Sequence, residues 1–342
     1  MMNMRRMAVA VIAPMVFAFA AIAAFGGGAG EEADSITLYS GRGESLVAPI
    51  IDRFEQETGI TVNVRYGGTA ELAVFLQEEG DQSPADIFWA QDGGALGAVA
   101  RAGLFAQLPD ELVADMPDIY RNDTGEWVAT SGRARVLVYH PERVNEDELP
   151  DSVFDLTDSR YSGRVGWAPT NGSFQSFVTA MRVMHGEQTI RRWLEGILAN
   201  DPQAFRNNTA TVEGVAAGEA DMGIVNHYYL LRFLDDDPDF PLRQLFFDAG
   251  DVGNLVNVAG IGVLNTASNR EGAEAFVRFL LDIESQQYFT DEVFEYPITA
   301  DVVQNPDLES FARLLEVSPT LNLDDLDDLD GTLDLLRAIG AL

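Results

Sequence analysis

From residue 35 onward, short apolar runs alternate with amphipathic stretches of helical periodicity, and this alternation restricts the possible folds more than any other feature. The runs at residues 35–39, 61–66 and 85–90 predict strands, and the stretches between them predict helices that end at glycines. Repeated strand-helix-strand units are typical of a mostly parallel sheet covered by helices. This part of the chain therefore predicts an α/β lobe.

The same alternation continues in the rest of the chain and predicts a second α/β lobe. Two strand candidates meet at residues 127–130 and 134–139, and a helix is expected over about residues 270–288. Two-lobed proteins of this kind bind their ligand in a crevice at the carboxyl ends of strands, and they close about strands that cross between the lobes. We expect the crossing strands at residues 130–138 and 255–264.

The charge and composition of the chain exclude several classes of function. Among 342 residues, 22 are arginine or lysine and 55 are acidic, which gives a formal net charge of -33, and the sequence contains no lysine. A chain this acidic repels polyanions, so we expect no nucleic-acid partner. The absence of lysine excludes Schiff-base chemistry and Walker-type phosphate loops. The absence of cysteine excludes disulfides, zinc-thiolate sites, iron-sulfur clusters and thiol nucleophiles.

The N-terminus has the pattern of an export signal. Arg5 and Arg6 precede an uncharged run over residues 7–25, and a glycine-rich exit follows at residues 26–30. The small residues around Ala21-Ile22-Ala23 offer a signal-peptidase site, although the run is also long enough for an uncleaved membrane anchor. We predict that residues 1–30 are a signal peptide and that the mature protein is periplasmic or otherwise extracytoplasmic.

Five segments, taken in order, resemble the periplasmic ferric-ion-binding proteins of ABC iron(III) importers. They are Leu38-Tyr39-Ser40-Gly41-Arg42, Pro84-Ala85-Asp86-Ile87-Phe88, Ser131-Gly132-Arg133-Ala134-Arg135-Val136, Trp167-Ala168-Pro169-Thr170-Asn171-Gly172-Ser173 and Val225-Asn226-His227-Tyr228-Tyr229. The resemblance extends from about Ser35 to the C-terminus. It implies an α/β fold of the two-lobe type II periplasmic binding protein class with hinge strands, and a protein that is not an enzyme.

The resemblance further implies how the chain divides into two lobes and which partners it has. Lobe 1 comprises residues 31–131 with about 259–308, and lobe 2 comprises residues 132–258 with about 309–342. On this resemblance we expect the protein to capture ferric iron, Fe(III), with a synergistic anion such as carbonate or phosphate. We also expect it to deliver the iron to an ABC transporter permease in the inner membrane, and to do so as a monomer.

The adjacent Tyr228 and Tyr229 are the strongest candidates for metal ligands. Ferric iron is a hard trication that favours anionic oxygen, and a phenolate supplies one once the metal displaces its proton. Neighbouring side chains point to opposite faces of a strand and diverge by about 100° on a helix, so the pair should lie at a junction outside regular structure. A core aromatic patch is the alternative, and the resemblance implies the ligand role.

A second group of residues would hold the anion. Asn171, Gly172 and Ser173 open a predicted helix, whose free backbone amides form an oxyanion seat. Arg133 and Arg135 lie two apart on a strand, so they point to the same side, where one can make a bidentate contact to carbonate or phosphate. Alternatively, these arginines pair with surface carboxylates.

The resemblance also implies that Asn208 and Asn226 hydrogen-bond the synergistic anion. Asn208 precedes a predicted helical segment, and Asn226 precedes the tyrosines. Asn171 and Asn208 have a structural alternative, because asparagine is a common helix N-cap.

The first lobe departs from the family pattern. Many relatives have a histidine where this chain has Gly43 and a glutamate where it has Gln91. Gln91 offers only a neutral carbonyl oxygen, whereas the neighbouring Asp92 and Glu44 could supply a carboxylate. We therefore name Gln91 and Asp92 as first-lobe metal candidates. His227 beside the tyrosines is either a ligand or a packing residue.

Two further functions remain open on the sequence alone. One is capture of another anionic or chelated solute by the same fold, since the first lobe lacks the expected ligands. The other is a secreted hydrolase, although paired carboxylates cannot be identified among 55 acids. The acidic residues between Asp325 and Asp330 do not match calcium-loop spacing and predict a solvated, acidic-faced helix.

Overall fold

The computed structural model describes residues 34–342, apart from residues 115, 117–119, 300 and 304 and the side chains of residues 311 and 324. The predicted signal peptide of residues 1–30 lies outside the described residues. No helix in the described ranges is both long and apolar enough to cross a membrane. The strands are β1 Ser35–Ser40, β2 Thr61–Tyr66, β3 Ile87–Ala90, β4 Val128–Tyr139, β5 Val165–Trp167, β6 Gln203–Ala204, β7 Met222–Asn226, β8 Arg243–Leu245 and β9 Val256–Val263.

The helices alternate with these strands as the periodicity predicts. They are α1 Glu44–Thr58, α2 Thr69–Glu79, α3 Gly93–Arg101, α4 Asp110–Val113, α5 Gly172–His185, α6 Glu187–Ala199, α7 Asn208–Ala217, α8 His227–Asp236, α9 Arg270–Leu281, α10 Ile283–Asp291, α11 Phe311–Val317 and α12 Leu329–Ala338. The prediction of a single helix over residues 270–288 is wrong, because two helices cover this range. Asp282 ends α9 and caps α10 by accepting from the Ser285 amide at 2.7 Å.

The strands pair in the order β2-β1-β3-β9-β4-β7-β5-β6, and β8 pairs with β4. The outer pairs are parallel, but β9 is antiparallel to β3 and to β4, and β4 is antiparallel to β7 and β8. The expectation of a mostly parallel sheet is therefore wrong for its centre. The centre is formed by the two long crossing strands, β4 and β9, and each of them is antiparallel to its neighbours.

The crossing strands join the two lobes. Strand β4 pairs with β9 as far as Ala134, and from Arg135 onward it pairs with β7. The two strand candidates at residues 127–130 and 134–139 are thus one continuous strand, because a bulge between Ala129 and Ser131 absorbs the irregular register. Every residue of β4 and β9 is buried.

Each lobe has its own aromatic core beside this crossing. In the first lobe the Trp89 and Phe54 rings both make edge contacts with Phe276. In the second lobe Phe177 contacts both Phe174 and Trp193. Full burial of one such side chain stabilises the fold by roughly 1.5–3 kcal/mol. The two cores hold the carboxyl ends of the strands at fixed positions on either side of a cavity.

Candidate metal centre

A cavity of about 640 Å³ opens between α3 of the first lobe and the start of α5 in the second. Ten of the eleven residues proposed from the sequence line it: Gln91, Asp92, Arg133, Arg135, Asn171, Gly172, Ser173, Asn226, Tyr228 and Tyr229. The remaining one, Asn208, is fully buried and donates to Ser173 Oγ at 2.9 Å. The structure thus brings together residues that lie up to 138 positions apart, between Gln91 and Tyr229.

The two tyrosines lie at the boundary between strand β7 and helix α8. The strand ends at Asn226 and the helix begins at His227, so no loop separates the two elements. Both rings belong to the first helical turn, and their centroids are still only 4.4 Å apart, with the planes tilted by 31°. The expectation that the pair must leave regular structure is wrong, because the long side chains converge although their Cα–Cβ bonds diverge.

Both tyrosine side chains are largely shielded from water. Tyr228 is 1% exposed and Tyr229 is partly buried. Burial raises the pKa of the Tyr229 hydroxyl above its usual value, the adjacent Tyr228 hydroxyl raises it further, and a hydrogen bond with Asn208 acts in the opposite direction. The Arg232 guanidinium lies 4.9 Å from the centroid of the Tyr228 ring. Without a bound cation, the Tyr229 hydroxyl therefore stays protonated at neutral pH.

Arg135 is a buried cation at the wall of the cavity. Its Nη1 donates to Asn226 Oδ1 at 3.1 Å and to Ser173 Oγ at 3.3 Å, and its Nη2 donates to the Ile224 carbonyl at 3.1 Å. Burial lowers its pKa to about 9, with the two tyrosines acting in the opposite direction. Within the described part of the chain it forms no ion pair, and its Nε has no hydrogen-bond partner. Pairing with surface carboxylates is thus wrong for Arg135, which is only 2% exposed.

Arg133 lies on the same face of β4, as its spacing predicts, but its surroundings differ. Its Nη2 donates to the Val258 carbonyl at 2.8 Å, and its Nη1 lies 3.9 Å from the buried carboxylate of Glu295. No hydrogen-bond partner for this Nη1 occurs among the described residues. Arg133 thus lines the cavity and keeps one unused hydrogen-bond donor.

The start of α5 is held by a compact hydrogen-bond network. Asn171 caps the helix, since its Oδ1 accepts from the Ser173 amide at 3.0 Å, and the same oxygen accepts from Ser173 Oγ. Asn208 is not a cap, because Asn207 takes that position and accepts from the Ala210 amide. The Asn208 amide is therefore free to donate to Asn171 and Ser173, and its buried Oδ1 has no partner among the described groups.

The two first-lobe candidates, Gln91 and Asp92, already have hydrogen-bond partners within the protein. The Gln91 carbonyl oxygen accepts from Arg42 Nη1 at 3.2 Å, and its Nε2 donates to the Tyr228 hydroxyl over a long 3.5 Å. Asp92 caps α3 by accepting from the Ala95 amide at 3.0 Å, and burial raises its pKa. Gly43 lines the cavity with open space around it, whereas Glu44 does not line it.

His227 has a structural role at the crossing strands. Its Nδ1 accepts from the Ala134 amide at 3.2 Å, so its Nε2 carries the proton and donates to the Phe294 carbonyl at 2.7 Å. Burial lowers its pKa to about 4, which keeps the ring neutral. Within the described ranges, no group of three or more histidine or carboxylate side chains is arranged to hold a metal ion.

Sequence reasoning missed two residues that shape the site. Arg42 belongs to the first of the five segments but was given no role there, and it forms a buried ion pair with Glu295 beside Gln91. Asn257 lines the cavity, where its Oδ1 accepts from the Gly93 amide and its Nδ2 donates to Ser176 Oγ. The residues next to Arg42 do not indicate that its side chain is buried, although the glycines on either side of it predict a tight loop.

Comparison with known proteins identifies the family of the chain. The family of bacterial extracellular solute-binding proteins matches residues 39–287. The chain belongs to this family. It is accordingly a binding protein and not an enzyme, which sets the hydrolase alternative aside.

Individual relatives of this solute-binding protein are similar over most of their length. The Fe(3+)-binding periplasmic protein of Serratia marcescens is 32% identical over 290 residues, which cover 83% of this chain and 85% of that protein. The iron-bound structure of HitA from Pseudomonas aeruginosa has a TM-score of 0.84 and 34% identity, covering 90% of this chain and 99% of the other.

A second solved structure is similar as well. The Trichodesmium protein FutA, solved with iron and citrate ligands, has a TM-score of 0.76 and 28% identity, and the match covers 90% of this chain and 99% of that one. These matches confirm the resemblance drawn from the five sequence segments. They also confirm the two-lobed α/β fold of the periplasmic binding proteins.

Proposed function

We propose that this solute-binding protein captures ferric iron outside the cytoplasm, with Tyr228 and Tyr229 as the main ligands. The observation that carries the proposal is the pair of phenol rings 4.4 Å apart at the wall of a cavity also lined by buried arginines. Ferric iron would displace both phenol protons and gain two anionic oxygens. The relatives named for iron binding support the choice of metal.

A synergistic anion such as carbonate or phosphate would complete the coordination shell. Iron with two phenolates leaves one positive charge, and the buried Arg135 adds to it, so an anion is favoured at this end of the cavity. Arg135 Nε, Arg133 Nη1 and the polar groups at the start of α5 are suited to bind such an anion. Asn171, Gly172, Ser173, Asn208 and Asn226 would surround it. Gln91 or Asp92 would contribute from the first lobe.

The same proposal includes the route of the iron. The lobes, with the boundaries given above, would close around the metal by bending at β4 and β9, and an ABC permease in the membrane would accept the iron from the reopened form. The family supports a permease partner, and the periplasmic relatives support an extracytoplasmic location. Export by residues 1–30 and a monomeric state belong to this proposal.

The test is the visible charge-transfer band that a phenolate gives when it binds ferric iron. The protein with added Fe(III) and bicarbonate should develop the band, and Tyr228→Phe and Tyr229→Phe should each weaken it and lower iron affinity. Tyr66→Phe is the matched control, because Tyr66 does not line the cavity. Full iron affinity in the Tyr228→Phe, Tyr229→Phe double variant would refute the assignment.

One alternative function keeps the fold but changes the solute. The buried guanidinium of Arg135, which lines the cavity and has no carboxylate partner among the described residues, favours an anion, so the protein could bind an anionic or chelated solute in its own right. Isothermal titration with phosphate, ferric citrate and iron-free citrate separates the cases. Heat from iron-free phosphate or citrate that equals the heat from the ferric form would support the alternative.

A further inference from the structure

Near its C-terminus the chain packs against α3 and α5, which lie on different sides of the cavity. Residues 323–338, here called the C-terminal clasp, begin with the short turn Leu323–Asp325 and continue into α12. Four of its residues line the cavity: Leu326, Asp327, Leu329 and Asp330. The clasp therefore forms a wall of the proposed binding site and is more than the solvated acidic helix that the sequence predicted.

On the first side the clasp is fixed to α3. Asp327 forms an ion pair with Arg101 at the end of that helix. Leu323 and Leu326 are buried, and the Leu326 carbonyl lies so close to Gly94 that a Cβ there would come within 2.4 Å of the oxygen. Backbone of the clasp thus packs directly on backbone of α3, which is possible only because Gly94 has no side chain.

On the second side the clasp is fixed to α5. Asp328 accepts from Arg182 Nη2 at 2.8 Å, and its carbonyl accepts from Arg182 Nη1 at 3.0 Å. Thr332 and Thr179 share a buried hydrogen bond of 2.7 Å. Two consecutive aspartates therefore bind arginines from opposite sides of the cavity: Asp327 binds Arg101, and Asp328 binds Arg182.

We infer that the C-terminal clasp holds the two sides of the cavity together and slows solute release, with Asp327 and Asp328 as its positioning residues. The inference rests on the proposed function for the identity of the solute. If the lobes separate to release iron, α3 and α5 must move apart, and this motion must break at least one of the two ion pairs. Neither aspartate needs to contact the metal, because both act by holding the wall in place.

The principal test is the rate at which ferric iron passes from the loaded protein to a chelator in excess, followed by loss of the charge-transfer band. The Asp327→Asn, Asp328→Asn double variant should release iron about 1.4- to 5-fold faster if opening breaks one of these partly exposed ion pairs, and up to about 30-fold faster if it breaks both. High salt should accelerate the parent protein but have little further effect on the double variant. An unchanged release rate would overturn the inference.

Two further variants separate this role from simple destabilisation. Asp334→Asn removes an exposed ion pair with Arg337 within α12 that does not span the cavity, so it should leave the release rate unchanged. Exchanging charges with Arg101→Asp and Asp327→Arg together should restore a rate within about twofold of the parent. Failure of the exchange to slow release relative to Asp327→Arg alone would also count against the clasp.

A measurement without iron keeps the inference independent of the proposed function. Because the chain has no cysteine, spin labels can be placed at Glu78→Cys on α2 and Glu195→Cys on α6, which are exposed on the two lobes. The distance distribution between the labels should broaden or lengthen in the Asp327→Asn, Asp328→Asn variant. If the parent gave no iron band but this broadening occurred, the iron assignment would fail and the clasp would stand. An identical distribution would refute the clasp.

Discussion

Arg42 and Glu295 form a fully buried, two-point ion pair, in which Nη1–Oε1 and Nη2–Oε2 are both 2.9 Å, although 253 residues separate them in the chain. Ser131 donates to the same carboxylate, and Arg133 lies 3.9 Å from it. The pair therefore links the loop after β1, the crossing strand β4 and the segment after α10. It also fixes Arg42, which donates to Gln91 beside the tyrosines.

Removing the carboxylate from this pair should destabilise the protein strongly. We expect Glu295→Gln to lower the free energy of unfolding by about 3–5 kcal/mol, because it leaves Arg42 buried without its counter-charge. Urea denaturation followed by circular dichroism measures the loss. Glu292→Gln, in the same segment but exposed, is the control and should change stability by less than about 0.5 kcal/mol. A loss below about 1 kcal/mol for Glu295→Gln would contradict this prediction.

The same carboxylate should make stability depend on pH in the acid range. Although burial raises the pKa of Glu295, Arg42 and Arg133 lower it to about 2, below its ordinary value of 4.5. The stabilisation is therefore complete above pH 4.5 and is lost as the pH falls toward 2, by roughly 3 kcal/mol in total. Denaturation midpoints of the parent should fall through this window more steeply than those of Glu295→Gln. Parallel curves for the two proteins would rule this out.

A histidine at position 43 should strengthen iron binding. Gly43 lines the cavity, has ordinary backbone angles of -63° and 138°, and leaves open space within 4 Å of the position that a Cβ would take. Gly43→His can therefore add a nitrogen ligand from the first lobe without strain, and one further ligand worth about 1.4 kcal/mol raises affinity about tenfold. Competition with citrate for iron measures the change, and Gly43→Ala should match the parent. Equal affinities for the alanine and histidine variants would contradict the expectation.

Loss of the Arg135 guanidinium should weaken iron binding through the anion. Hydrogen bonds to charged groups are worth about 1.5–3 kcal/mol, so Arg135→Met should raise the dissociation constant for iron roughly 10- to 150-fold when bicarbonate is present. Arg135→Lys keeps the charge but loses the planar fork and should lie between the two. Titrations at several bicarbonate concentrations test the cause, since the parent and Arg135→Met should converge when the anion is withdrawn. The same deficit at every concentration would indicate a structural effect instead.

Helices, strands and caps that depend on neighbouring residues could be predicted from the sequence, whereas contacts between residues far apart in the chain could not. Strand β2 at Thr61–Tyr66 and the helix after Asn171 follow from periodicity and capping, which act within one turn of the chain. The cap before α7 was misplaced by one residue, since Asn207 and Asn208 have the same capping chemistry and only the fold decides between them.

The cavity followed from the resemblance, but its electrostatics did not. The sequence does not indicate that Arg135 lies without a carboxylate while Arg42 has one, because Arg42 pairs with Glu295, 253 residues away, and the burial of Arg135 depends on strand β7, whose Ile224 carbonyl is 89 residues away. The mixed direction of the central strands was likewise invisible, since strand direction is set by how the crossing segments return through the sheet. For the same reason, the role of the two consecutive aspartates in the clasp could not be inferred from their spacing.

The passage of the chain between lobes along β4, and back along β9, has a consequence for genetic dissection of this protein. Because β4 and β9 are far apart in the sequence but pair in one sheet, any cut between them places these paired strands on different fragments. A fragment ending after β4 would lack β9, the strand that β4 pairs with as far as Ala134. Complementation by two fragments therefore requires that they refold together, with strands from both entering one continuous sheet.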